Sequence, residues 1–176
     1  MILERYECSQ INENAFVFAT ELGNQYCVKF DEHWVGRSGY MPGIGERISI
    51  YEMTFERWNI CSNAHDPKVA ATIVFKGLEY LRRNQVVFYT ADNPSTRDKE
   101  LFRLYHIWFW AAKRMAAGSE GAKAAFVDKK DKVVVYDDKE IFFSCFYMMD
   151  HWQSEVDYWF FDVLKELYPG SVIRKY

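Results

Sequence analysis

The chain has 176 residues, 49% of them hydrophobic and 27% charged, and its 14 Phe, 12 Tyr and 6 Trp raise the aromatic share to 18%. That composition excludes a disordered, collagen-like or low-complexity protein, and the length suits a single domain spanning 1–176. The net charge of −3 supplies no global field to draw in nucleic acid or an acidic membrane.

The start, Met1-Ile2-Leu3-Glu4-Arg5, has no basic region followed by an apolar run, so no secretory signal is expected and the cytoplasm is the expected location. Arg5 to Ser9, Ala15 to Ala19 and Tyr26 to Phe30 read as short strands separated by Asn12-Glu13-Asn14 and Gly23-Asn24, a β-meander. The stretch Gly36 to Gly45 is a glycine-rich loop, and an alternating strand follows through Ile48, Ile50 and Met53. Asp66-Pro67 announces a helix, with Asp as N-cap and Pro in the first turn. Ala70, Ile73, Val74, Gly77, Leu78 and Leu81 keep its helical spacing, and Arg82-Arg83 suit its last turn. Val86 to Ala91 has the continuous apolar, β-branched pattern of a buried strand.

A second helix is predicted from Ser95 or Thr96 to about Ala117, where Ser95 and Asp98 have capping-box spacing. It is apolar around most of its circumference from Leu101 to Ala112, which predicts burial on two sides. Ala124 to Asp128 and Lys132 to Tyr136 read as strands flanking a turn at Lys129-Lys130-Asp131, and Lys139 to Met148 as a further strand after Asp137-Asp138. The last helix opens at Asp150, with Gln153 at the reciprocal capping position. It carries Trp152, Val156, Trp159, Phe160, Val163, Leu164 and Leu167 on one face and stops at Pro169-Gly170. The longest apolar runs, Ile107 to Ala112 and Ile141 to Met149 around Ser144, fall far short of the ~20 residues that span a bilayer, so no membrane helix is expected. The expected architecture is α+β, with antiparallel β-meanders packed against three main helices.

Asp66-Pro-Lys-Val-Ala-Ala-Thr-Ile73, the strand Val86-Val-Phe-Tyr-Thr-Ala-Asp92, and then Arg97, Phe102, Arg103 and Trp108 resemble an uncharacterised bacterial family, a domain of unknown function. Phe16-Val-Phe-Ala-Thr20 and Tyr26-Cys-Val-Lys-Phe30 fit it as well. The resemblance implies a bacterial, cytoplasmic α+β protein and carries no activity or catalytic residues with it.

Chemistry has two candidate seats. In the loop 92–98 polar groups gather between a strand and a helix N-terminus, where Asp92 could act as a base or metal ligand and Arg97 could clamp a carboxylate or phosphate. Helix capping by Ser95 or Thr96, a Pro94 turn and an Asp92–Arg97 pair account for the same residues. On the following helix Lys99, Arg103, His106, Trp110 and Lys113 share one face, with Arg114 at its margin. This stripe reads either as an anion or single-strand binding surface with Trp110 for stacking, or as a solvated face neutralised by acids such as Asp128, Asp137 or Glu140.

His33, His65, His106 and His151 are isolated in sequence, so neither a metal nor a cofactor is expected. Cys8, Cys27, Cys61 and Cys145 are widely spaced and read as reduced thiols, Cys145 as buried and inert. Neither standard nucleotide loop is present. The leading reading is a protein-interaction or self-associating module without catalysis, favoured by abundant Tyr and Trp and by sheet edges that need covering. The alternative is a ligand-binding or enzymatic domain for a small anionic substrate, using Asp92, Arg97, Arg103, His106 and Trp110. Nucleic-acid binding through the stripe ranks third, because the net charge opposes it.

Overall fold

The computed structural model describes residues 4–34, 49–81, 86–91, 98–119, 127–148 and 156–176. Four strands open the chain, β1 (Ser9–Asn12), β2 (Ala15–Ala19), β3 (Gln25–Trp34) and β4 (Ser49–Asn59). Helix α1 (Pro67–Leu81), strand β5 (Val86–Ala91) and helix α2 (Asp98–Ser119) follow. The chain then forms β6 (Val127–Tyr136), β7 (Lys139–Met148), helix α3 (Val156–Leu167) and β8 (Val172–Lys175). All eight strands belong to one sheet in the order β1-β2-β3-β4-β5-β7-β6-β8.

The fold is α+β, antiparallel meanders with three helices, as the sequence predicts. One junction differs: β4 and β5 pair in parallel from Ile50–Val86 to Glu52–Phe88, and every other pairing is antiparallel. Parallel neighbours require a crossover, and α1 supplies it. The sheet is thus two antiparallel halves joined at one parallel seam.

Alternation along the strands sends side chains to two cores. On one face Phe18, Val28, Phe30, Met53, Val133, Phe142 and Phe146 pack with Val69, Ile73, Tyr80 and Leu81 of α1 and Phe102 and Phe109 of α2. On the other, Ile50, Val134, Ile141, Phe143, Cys145 and Tyr147 pack with Val156, Phe160, Val163 and Leu164 of α3. At the start of α1 the Asp66 carboxylate accepts the Lys68 amide at 3.0 Å, the cap that Asp66-Pro67 predicts. Gly77 lets α1 approach β4 closely, since a Cβ there would lie 3.3 Å from Met53 Sδ.

A buried asparagine ties the β2–β3 connection to the end of β4. Asn24 Oδ1 accepts the amides of Cys61 (2.8 Å) and Ser62 (3.0 Å) and Arg57 Nη2 (3.0 Å), while its Nδ2 donates to the Ser62 carbonyl at 3.0 Å. Gly23 next to it adopts φ +80°, open to glycine without strain.

Several expectations are corrected. The first strand lies at Ser9–Asn12 instead of Arg5 to Ser9, because the earlier segment turns to α1, where the Tyr6 amide donates to Thr72 Oγ1 at 3.0 Å. Lys129-Lys130-Asp131 is no turn but the middle of β6. The turn falls at Asp137-Asp138, both left-handed (φ 51° and 60°), the two-residue geometry whose twist suits a hairpin. After Pro169-Gly170 the chain forms β8, which pairs with β6 from Val135–Val172 to Lys132–Lys175 and was not foreseen. Gly118 lies inside α2. The glycine-rich loop, Arg82-Arg83, Ser95 and Thr96, and the Asp150–Gln153 opening lie outside the described residues.

Candidate functional site

The site centres on α2 and the strands beneath it. The inward side of α2 is fixed by buried Phe102 and Phe109, with Phe109 stacked on Phe146 of β7 at 4.6 Å between centroids. Tyr105 meets Phe55 of β4 edge-on at 5.5 Å, and burial pushes its hydroxyl well above the usual tyrosine range.

The helix packs against α1 and against β5 and β7 of the sheet, yet part of its apolar circumference is exposed. Ile107 is 61% exposed, and Leu104 and Trp110 are each 37% exposed. Among the described residues of α2, Leu104, Ile107 and Trp110 are the large apolar side chains that meet solvent.

Of the sequence-predicted site residues, Asp92 and Arg97 lie outside the described residues. Arg103 is exposed on the outer side of α2. His106 and Trp110 come together through helical spacing: Trp110 Nε1 donates to His106 Nε2 at 2.9 Å, so the neutral imidazole carries its proton on Nδ1. The stripe around them is partly neutralised, as the solvated-face reading has it. Lys99 Nζ lies 3.1 Å from Glu140, and Lys113 Nζ sits 5.0 Å from the Trp110 ring centroid.

Below the stripe lies a polar cluster that sequence reasoning missed. Lys129 of β6, its side chain only 5% exposed, pairs with Asp131, whose side chain is 16% exposed. The other Asp131 oxygen accepts the hydroxyl of fully buried Ser144 from β7. Burial lowers the Lys129 ammonium below the usual lysine range, against the opposing pull of Asp131. The same surroundings act on His106, where burial first and Lys129 second hold the imidazole below its ordinary value, with Asp131 opposing.

The opposite face of β6 is charged as well. Lys132 (3.0 Å) and Lys130 (3.4 Å) both reach Asp157 at the start of α3. Burial raises the Asp157 carboxyl, but the two ammonium groups outweigh it and hold the group below the usual range. Burial, with Asp128 beside it, pushes the Tyr147 hydroxyl up to about 12. Cys145, between these charges, is fully buried, and burial raises its thiol well above the usual value, matching its expected inertness.

A local signal for β6 existed. The run Val127 to Tyr136 holds no Gly, Pro or Asn and ends in the β-branched run Val133-Val134-Val135.

Chemically, the cluster holds a hydroxyl, a carboxylate and an amine in a chain, as nucleophilic sites do. Here the Ser144 hydroxyl is spent on Asp131 and shielded from solvent, which makes the chain a structural tie between β6 and β7. Among the described residues no group of three His, Cys, Asp or Glu side chains is placed to hold a metal ion, and no helix is long and apolar enough to cross a membrane. No family model, curated protein or solved structure matches the chain.

Proposed function

We propose that this chain is a protein-interaction module that works through the outer face of α2 and performs no catalysis. One observation carries the reading: Ile107 stands 61% exposed on a helix otherwise anchored in the core, flanked by half-exposed Leu104 and Trp110 and by exposed Arg103. Trp and Arg around an apolar centre are the side chains that interface cores enrich. Lys99 is paired with Glu140 and His106 Nε2 accepts from Trp110, so two of the stripe's anion contacts are already engaged, which favours association over the alternative of a small anionic ligand. Its four free thiols support a reducing, cytoplasmic location.

The test is the size of the tagged chain in a lysate of the cells that make it. Wild type should elute as a complex, and Ile107→Glu, which charges the outer face without touching the core, should return it to monomer size with an unchanged circular dichroism spectrum. Wild type eluting as a monomer overturns the reading.

A further inference from the structure

We infer that His106 is a pH-operated latch on Trp110: the neutral imidazole holds the indole on α2, and a proton on the ring lets it go. The chemistry of the contact carries the argument. Indole Nε1 can only donate, and it points at His106 Nε2 at 2.9 Å. An imidazolium carries N–H on both ring nitrogens, so protonation sets two donors face to face where one hydrogen bond stood. Trp110 is the partner free to leave. It is 37% exposed and rests edge-on to Phe109 at 5.4 Å between centroids, whereas His106 is half-buried beside Lys129.

The surrounding charges offer the imidazolium no new partner. From β6, Lys129 opposes protonation and Asp131 favours it, but Asp131 is already held by Lys129 and by the Ser144 hydroxyl. Asp128 reaches Tyr147 on the opposite face of the sheet. Glu140 of β7 is taken by Lys99 and Arg174, and β5 contains no Asp, Glu, Lys, Arg or His. The α1 charges Lys68, Lys76 and Glu79 are paired with one another or with Glu4 and Glu21. On α2 itself Arg103 stands one turn before His106, Lys113 lies over the indole, and Glu100, six residues away, is off the His106 face. Among the described residues, a charged His106 would join Lys129, Lys113 and Arg103 around one carboxylate that is already committed. Burial and Lys129 set the change below the ordinary imidazole value of about 6.5, so the latch is shut at neutral pH and opens on acidification. Resting on the reading of the outer face of α2 as an interface, the latch makes association depend on pH, since Trp110 flanks Ile107 there.

The purified full-length chain tests the latch without any partner, by NMR between about pH 8 and 5. The Trp110 indole N–H, identified by its loss in Trp110→Phe, should move upfield with the same midpoint as the His106 ring, and ring contacts between Trp110 and Phe109 should weaken in step. His106→Gln supplies an amide oxygen that accepts at every pH, so its indole signal should stay in place. An indole signal that ignores the His106 titration, or that moves equally in His106→Gln, overturns the latch. So does a signal that shifts while the Phe109 contacts persist, because the imidazole is then the partner that moves. Gel filtration of lysate reads the consequence separately: the wild-type complex should come apart at the acid end and the His106→Gln complex should not. A complex whose size ignores pH while the indole moves overturns the latch as a regulator of association. No complex at any pH defeats the interaction reading and leaves the latch, read in the purified chain, standing.

Discussion

Two side chains show how much a single residue carries here. Asn24 is 2% exposed and satisfies two backbone amides, the Arg57 guanidinium and the Ser62 carbonyl at once. Asn24→Ala removes the acceptor of these part-buried donors and should cost about 2 kcal/mol in denaturant unfolding. A loss no larger than that of an ordinary surface substitution would show that the clamp is dispensable. His106 is the other. Its folded imidazole lies below the ordinary value of about 6.5, so as the pH falls the unfolded chain takes up this proton first. The stability tied to neutral His106 is complete above about pH 6.5 and is lost as the pH falls from there toward the folded value. Melting temperatures between about pH 8 and 5 should therefore drop more steeply in wild type than in His106→Gln. Equal slopes would remove His106 from the account.

At the scale of the element, β6 shows what buried charge does to a strand. Lys129 and Asp131 are each other's compensation, so Lys129→Met alone strands a carboxylate and should cost about 3 kcal/mol. Replacing the whole chain, Lys129→Met with Asp131→Val and Ser144→Ala, should recover most of that loss, because apolar groups of similar size need no partners. A triple variant no more stable than the single one would show that packing, not charge pairing, governs the site. The same strand explains where sequence reading succeeds and stops. Residues of β2, β5 and β7 are runs of aromatic and β-branched side chains between turn-formers, and their predicted limits coincide with the observed ones. The capped start of α1 is equally local. Half hidden in β6 is a tertiary fact: the absence of Gly, Pro and Asn permits a strand through the charged run, but what holds Lys129 and Asp131 in it is Ser144 of β7 and the underside of α2. The same holds for β8, four residues whose strand character exists only through β6. For the candidate site, the grouping of Arg103, His106 and Trp110 was legible from helical spacing. Its exposure was not, because the apolar circumference of α2 does not reveal which sides have neighbours.

For the whole molecule the question is whether two antiparallel halves behave as one. The seam between them is short, with β4 and β5 in register at Ile50, Tyr51 and Glu52. Strand hydrogen bonds there would not by themselves couple the halves, but α1 does. Its Tyr80 stacks on Phe30 of β3 at 3.7 Å, and its hydroxyl lies 2.8 Å from Asn14 Oδ1 and 3.1 Å from the Glu13 carbonyl in the first half. The core that holds Tyr80 continues without a break through Phe102 and Phe109 to Phe142 and Phe146 of the second half. A continuous core predicts a single cooperative transition. Amides of Val28 and Phe143, one from each half, should exchange hydrogen with the same opening free energy as global unfolding. Tyr80→Ala, which empties a position shared by α1, β3 and the β1–β2 turn, should cost about 3–5 kcal/mol and lower both amides together. If Val28 loses protection in that variant while Phe143 keeps it, the parallel seam divides two folding units and α1 belongs to the first alone.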